Sequence, residues 1–167
     1  MKKKKNKKTK KKFVPGRDIG TPELQLKRAL LVGPGDPSFA ESAIGVLFAR
    51  GLINEYQLKA GQQYSNLRRK IFGSVNPSTA DLIGSTRGLG LIDEETEIRV
   101  RNRYDHAKNA LLDCGLVIQV AVDKICIYDI MPLALINSPH HHPKQLNNLK
   151  IGMNSLCTAL GLSLIHI

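Results

Sequence analysis

The stretch from Ile92 to Pro132 decides the fold. Its first part, IDEETEIRVRNRYDHAKNALLDCG over 92–115, starts acidic and becomes basic and amphipathic. Asp93 is a residue type that caps helix N-termini, glutamates follow where the helix dipole favours them, and Gly115 is a residue type that ends helices. Apolar residues recur at spacings of four and three, which places them on one helical face: Val100, Tyr104, Ala107, Leu111 and Cys114. We predict a helix from Glu94 to about Cys114.

The second part, LVIQVAVDKICIYDIMP over 116–132, is the most apolar segment of the chain. Its Val and Ile content favours a strand, but the alternation of apolar and polar residues fails at Lys124. Gln119 and Asp123 lie four residues apart and form one polar stripe on a helix. We predict a buried helix over Leu116–Ile127. A β-hairpin that turns at Asp123-Lys124 is the alternative.

The segment before this stretch contains three further helix patterns. Thr21-Pro22-Glu23 is typical of a helix start, and the turn 33–37, GPGDP, ends that helix at about Val32. A second helix is predicted from about Ser38 to Arg50. After Gly51-Leu52-Ile53, Asn54 is placed to cap a third helix from Glu55 to Phe72.

The last predicted helix begins at Pro143, after a loop bracketed by Pro132 and Pro139. Apolar residues follow at a 3-4-3-4 spacing, which forms a narrow stripe that packs on another helix or on a partner chain. The stripe consists of Leu146, Leu149, Met153, Leu156 and Leu160.

These patterns predict an all-α protein, a small bundle of about five helices with a disordered Lys-rich N-terminal tail. Residues 1–20 form the tail and a linker, 21–72 and 93–161 form two helical halves around one core, and 73–92 form a flexible linker or loop. Residues 162–167, LSLIHI, are similar to the read-through translation of a transposon adaptor used in sequencing libraries. The fold prediction therefore ends at residue 161.

The net charge of +11 is concentrated in the tail. Residues 1–12 contain nine lysines and no acid, and the rest of the chain contains 16 basic and 14 acidic residues. Such a segment attracts any polyanion but reads no base sequence. The alternative is an extension that only increases solubility.

Cysteine usage and hydropathy indicate a cytoplasmic protein. Cys114, Cys126 and Cys157 match no zinc spacing and lie in apolar helical segments, so we expect free thiols in a reducing compartment. The basic start is followed by FVPGRDIGTPE rather than by a signal-peptide pattern. No apolar run reaches the about 18 residues of a membrane-spanning helix.

The sequence contains no pattern that requires catalysis, a metal or a cofactor, and we predict that the protein is not an enzyme. His140-His141-His142 are consecutive residues in a Pro-flanked loop, where a solvated position is a simpler interpretation than a metal site. The segment 84–90, GSTRGLG, resembles a phosphate-binding loop only in its glycines. No Gly-x-Ser-x-Gly motif is present.

The helices 38–50 and 55–72 have the outline of a helix-turn-helix. Basic residues near the end of the second helix are placed to meet phosphate, although Glu55 would repel it at the base-reading end, which also carries Tyr56 and Gln57. A helical hairpin that acts only as scaffold is the alternative. The predicted nucleic-acid-binding residues are Lys2, Lys3, Lys4, Lys5, Lys7, Lys8, Lys10, Lys11, Lys12, Lys59, Arg68, Arg69 and Lys70.

Two segments of the chain resemble known bacterial proteins. Residues 20–73, from GTPELQLKRALL to NLRRKIFG, are similar to uncharacterised prophage-type proteins of alphaproteobacteria. Residues 101–135, with LKIGMNSLCTALG further on, resemble a C-terminal domain of unknown function found in regulators of that group. The resemblance implies a helical fold and a DNA-related or phage role, but it carries over no functional residue.

These observations together predict a non-enzymatic DNA-associated protein of prophage or regulatory type that contacts nucleic acid through its Lys-rich tail. The alternative is a helical protein-interaction or phage assembly module. In that alternative a protein partner, or a second copy of the chain, binds the stripe Leu146, Leu149, Met153, Leu156 and Leu160.

Overall fold

The computed structural model describes residues 20–73 and 94–162, and every regular element in these ranges is helical. The predicted all-α class is confirmed. The α-helices are α1 (Pro22–Val32), α2 (Ala43–Ala49), α3 (Glu55–Phe72), α4 (Glu94–Asp113), α5 (Leu116–Cys126), α6 (Leu133–Asn137) and α7 (Pro143–Ala159), and 3₁₀ turns span Pro37–Glu41 and Pro139–His141. The tail, the Asp93 cap, the segment 84–90 and the rest of the predicted linker after Gly73 lie outside the described residues.

The described elements differ from the predicted helices in two places. The predicted helix 38–50 is divided, because Ser42 is extended (φ −145°) and starts a new helix, its hydroxyl accepting a hydrogen bond from Gly45 N at 3.2 Å. The predicted loop between Pro132 and Pro139 contains α6, whose first hydrogen bonds run back to the carbonyl of Pro132.

The bounds of α3 are as predicted, because strong signals lie at both ends. Asn54 and Gln57 form a capping box in which each side chain bonds the other residue's backbone N–H, at 2.8 and 2.9 Å. Gly73 ends the helix at a positive φ of 77° that favours glycine. The Gln57 side chain is only 5% exposed and also donates to Asn154 Oδ1 at 2.8 Å. Gln57 is therefore a structural residue and not part of a base-reading turn.

The segment after Gly115 is helical, which excludes the hairpin, but the prediction that this helix is buried holds for one face only. The polar stripe of α5 points inward: Gln119 is 8% exposed, and Asp123 accepts a hydrogen bond from Tyr64. Leu116 and Val117 are 67% and 72% exposed. The inward side of α5 therefore contains these two polar residues beside the buried Val122, Ile125 and Cys126, and apolar residues at the start of the helix are exposed to solvent.

The 3-4-3-4 stripe of α7 belongs to the core of the protein itself. Four of its five members are at most 5% exposed, and Leu146 is partly buried. The stripe lies against α3, α4 and α5. The predicted use of Leu146, Leu149, Met153, Leu156 and Leu160 for partner binding or self-association is therefore wrong, because these side chains are already covered within the chain.

One apolar core holds both helical halves together. Buried residues of α2 and α3 form a single cluster with buried residues of α4, α5, α6 and α7. Polar contacts reinforce the connection: Asp129 Oδ1 accepts a hydrogen bond at 2.6 Å from Ala43 N at the start of α2. Within the first half, Arg50 donates to the carbonyls of Leu31 and Leu30, at 2.8 and 2.9 Å, near the end of α1.

Candidate nucleic-acid interface

The exposed side of α3 is the candidate interface. The inward side carries the buried residues Leu58, Ala60, Gly61 and Tyr64, which pack against the rest of the bundle. The opposite side is left to solvent for the whole length of the helix because no described element covers it. We call it the α3 face, and it consists of Lys59, Gln62, Asn66, Arg69 and Lys70, all exposed.

The spacing of these residues explains why they lie together. Lys59, Gln62, Asn66 and Arg69 follow at three, four and three residues, so they form one line along the helix, and Lys70 lies beside it. The line from Lys59 to Arg69 extends about 15 Å at the helical rise. All five side chains carry hydrogen-bond donors, and three carry a positive charge.

The structure brings three of the four basic residues predicted on this helix to the α3 face and separates the fourth. Arg68 lies on the other side of α3 and is half-buried. Its guanidinium stands over the ring of Phe72, 5.7 Å from the centroid. Burial raises the pKa of the nearby Asp123 carboxyl, and the charge of Arg68 is one of several contributions that partly offset this rise. Arg68 therefore interacts with the bundle and is not one of the freely presented cations.

The first basic residue of the face is already paired. Lys59 Nζ lies 2.6 Å from Glu55 Oε1, one helical turn earlier, and both side chains are more than half exposed. The hydrogen bond and the charge of Lys59 lower the pKa of Glu55, and Glu55 raises the pKa of Lys59. The amino-terminal turn of α3 is therefore electrically balanced, and the positive charge of the face lies at Arg69 and Lys70.

Two indentations border the α3 face. A cleft of about 540 Å³ lies between α3 and the residues that follow α5, and its walls include Glu41, Arg68, Arg69 and Asp129. Because these charges are of both signs, the cleft does not select an anion. A smaller hollow lies between Asn66, Lys70 and Arg103, and Arg103 Nη2 also donates to the carbonyl of Leu160 at 3.1 Å.

The sequence prediction missed Gln62 and Asn66, which are the central members of the face. The spacing of the polar residues could have identified them, since Lys59, Gln62, Asn66 and Arg69 recur at intervals of three and four between the apolar positions of α3. The nine predicted lysines of the tail lie outside the described residues.

The other candidate sites add no chemistry that the described residues can support. His140 and His141 are exposed in the second 3₁₀ turn. In residues 20–73 and 94–162 no group of three or more His, Cys, Asp or Glu side chains is arranged to hold a metal ion. No helix within these ranges is long and apolar enough to cross a membrane. All three cysteines are unpaired thiols.

Comparisons with protein-family models, with curated proteins and with solved structures gave no match.

Proposed function

We propose that the chain is a non-enzymatic, cytoplasmic DNA-associated protein of prophage or regulatory type. It binds the phosphate backbone mainly through the basic segment, residues 1–12, and orients on the duplex through the α3 face. The observation that carries the proposal is the presence of nine lysines in one segment of a chain whose α3 face is polar. That face carries the cations Arg69 and Lys70, unpaired among the described residues, beside the neutralised pair Glu55–Lys59.

The two parts contribute differently. Lysine ammonium groups act as point charges and bind phosphate without sequence preference. The α3 face adds the amides of Gln62 and Asn66 and the guanidinium of Arg69. In protein–DNA complexes such amides form hydrogen bonds with adenine, and a guanidinium forms them with guanine. Because Glu55 neutralises Lys59, we assign most of the affinity to the basic segment and a smaller, orienting contribution to α3.

The proposal is tested by fluorescence anisotropy with a labelled duplex and three variants of the full chain. Deleting residues 1–12 should remove most of the binding. Replacing Lys59, Arg69 and Lys70 together by Ala should weaken binding by a much smaller factor. Arg68→Ala is the matched control, because it removes one cation of the same helix that points away from the face. If the triple variant loses binding while the deletion keeps it, α3 and not the basic segment is the principal contact.

A second candidate function is a helical interaction or assembly module. The α7 stripe does not support it, because that stripe is covered. The exposed apolar residues of α5 do support it, since contiguous apolar side chains at a protein surface are typical of interaction sites. No affinity of the full chain for DNA, even at low salt, would favour this candidate.

A further inference from the structure

The smaller hollow beside the α3 face, of about 200 Å³, lies where α3 packs against α4, and we call it the α3–α4 hollow. Four of its five side chains carry N–H donors, two of these four are cationic, and none of the five is acidic. The larger cleft differs, because its walls carry charges of both signs. The residues that line the α3–α4 hollow are Gln63, Asn66, Leu67, Lys70 and Arg103.

The sequence of α4 explains why Arg103 has no acidic partner on its own helix. Arg99 and Arg101 pair with Glu95 and Glu97, each four residues earlier. The residue four positions before Arg103 is Arg99, a second cation, and no acid lies three or four positions from Arg103 in either direction. The charge of Arg103 is therefore not neutralised within α4 as the charges of the two preceding arginines are.

The Arg103 guanidinium is held in place by neutral groups of other helices. Its Nη2 donates to the carbonyl of Leu160 at 3.1 Å, and to Gln63 Oε1 on α3 at a longer 3.4 Å. Both bonds use Nη2, so among the described residues Nε and Nη1 remain as donors for a ligand. The guanidinium is thus positioned beside the hollow without losing its capacity to bind an anion.

The second cation of the hollow, Lys70, comes from α3. Within the described residues no carboxylate lies within 4 Å of Lys70 or Arg103. The fold therefore brings two like charges from two helices to one hollow, where they repel each other. An anion between them replaces this repulsion by attraction to both.

We propose that the α3–α4 hollow binds one phosphate group, held by Lys70 and Arg103 with the side-chain amides of Gln63 and Asn66 as further donors. A phosphate group presents several acceptor oxygens, so donors on both helices bind it at the same time. The group is either a phosphodiester of a nucleic acid or a free phosphate, which share this chemistry. The nucleic-acid source rests on the proposed function and would add Arg103 to the contacts of the α3 face.

NMR of the ¹⁵N-labelled full chain tests the proposal, because each backbone amide reports its own segment. Sodium phosphate is titrated, and sodium chloride of equal ionic strength is the reference. We expect saturable shifts in phosphate alone at the amides of Gln63, Asn66, Lys70 and Arg103, with half-saturation on the order of 10 mM. The lysines of residues 1–12 attract any anion but give separate resonances. Equal shifts in chloride, or no shift at these four residues, overturn the proposal.

Variants identify the two cations. Arg103→Gln and Lys70→Gln should each raise the half-saturating phosphate concentration about five- to tenfold. Arg101→Gln is the matched control, because Arg101 is an exposed arginine of the same helix that pairs with Glu97 at 3.5 Å, and it should leave that concentration unchanged. Lys70 is exposed, so Lys70→Gln keeps the test open if loss of the bond to Leu160 unfolds Arg103→Gln. Unchanged binding in Lys70→Gln, or an equal loss in Arg101→Gln, overturns the proposal.

A second titration, with a DNA duplex of arbitrary sequence, distinguishes the two sources of the group. Shifts at the same four amides, reduced in Arg103→Gln or Lys70→Gln, identify a phosphodiester of the nucleic-acid backbone. If phosphate shifts these amides and the duplex shifts only residues 1–12, the hollow binds a free phosphate and α3 does not orient the duplex. If the duplex shifts no resonance, the proposed function fails while the phosphate site stands.

Discussion

The hydroxyl of Tyr64 on α3 donates a hydrogen bond to Asp123 Oδ1 on α5 across 3.0 Å. The bond joins the two helices through residues that are 59 positions apart in the sequence. The Tyr64 ring is fully buried and stacks on the ring of Tyr104 of α4, with centroids 5.4 Å apart and planes 11° from parallel. Burial, with the charge of Asp123 next in importance, raises the pKa of Tyr64 far above its ordinary value, so the phenol remains a donor. This contact ties the two helical halves together at their common core.

Removing that hydroxyl should destabilise the fold. Tyr64→Phe keeps the ring stack but removes one of the two side-chain donors to the half-buried Asp123 carboxylate, Gln119 Nε2 being the other. We therefore expect a loss of about 1–3 kcal/mol in the free energy of unfolding. Urea unfolding followed by circular dichroism measures it. Tyr56→Phe is the control, because Tyr56 lies on the same helix and is 47% exposed, and its effect should stay within about 0.5 kcal/mol. Equal effects of the two variants would show that the hydrogen bond contributes nothing.

Asp123 should also make stability depend on pH. Burial raises the pKa of its carboxyl above the ordinary 3.8, and the hydrogen bond from Tyr64 offsets this only in part. The folded state therefore holds the proton more tightly than the unfolded chain. This contribution is fully present below the unfolded pKa and is lost as the pH rises through the raised folded pKa.

Asp123→Asn removes this titration and keeps an oxygen that can accept from Tyr64. The stability of the Asn variant relative to the natural chain should accordingly increase as the pH is raised through this window. Urea unfolding of both proteins at a series of pH values between about 3 and about 7 measures the difference. A difference that is independent of pH would contradict the raised pKa.

The contact between α7 and α5 should tolerate no methyl group at Gly152. An added Cβ would lie 2.7 Å from Cγ2 of Val122 and 2.8 Å from Cγ2 of Ile118, and these β-branched side chains are stiff at χ1. We expect Gly152→Ala to lower the free energy of unfolding by about 1–3 kcal/mol, even though alanine favours a helix. Lys150→Ala, at an exposed position of the same helix, is the control. A stabilising Gly152→Ala substitution would mean that the two helices are farther apart.

The three thiols should react in a fixed order. Cys126 is buried and its pKa is raised to about 12 by that burial, and burial also raises the pKa of Cys157. Cys114 is only half-buried and directly follows the last residue of α4. The fraction of thiolate and the accessibility of the sulfur control the rate of labelling, so a disulfide reagent should label Cys114 first. Cys114→Ser should therefore remove the fast phase of labelling. A fast phase that persists in this variant would place another thiol at the surface.

The sequence predicted those helices whose ends carry their own signals. Asn54 and Gly73 delimit α3, and Pro22 and Gly33 delimit α1, by backbone preferences that act locally. The division at Ser42 and the five-residue α6 were missed, since so few residues contain too little periodicity to detect.

The sequence could not predict which face of each helix packs against the other helices of the bundle. The stripe Gln119–Asp123 is compatible with solvent or with a buried partner, and only the approach of Tyr64 decides between them. The α7 stripe likewise indicates a packed face but not whether its partner lies in the same chain. In the candidate site, the positions of Lys59, Arg69 and Lys70 follow from helical spacing, whereas the turn of Arg68 toward Phe72 depends on tertiary packing.

The most direct test of the DNA-association proposal is the salt dependence of the affinity of the full chain for a duplex of arbitrary sequence. Each phosphate neutralised contributes about −0.9 to the slope of log affinity against log salt. We predict a slope of about −6 to −8, as most of the nine lysines of residues 1–12 engage, and a nearly flat line after their deletion. No binding even at low salt, or a slope that the deletion leaves unchanged, would contradict the account.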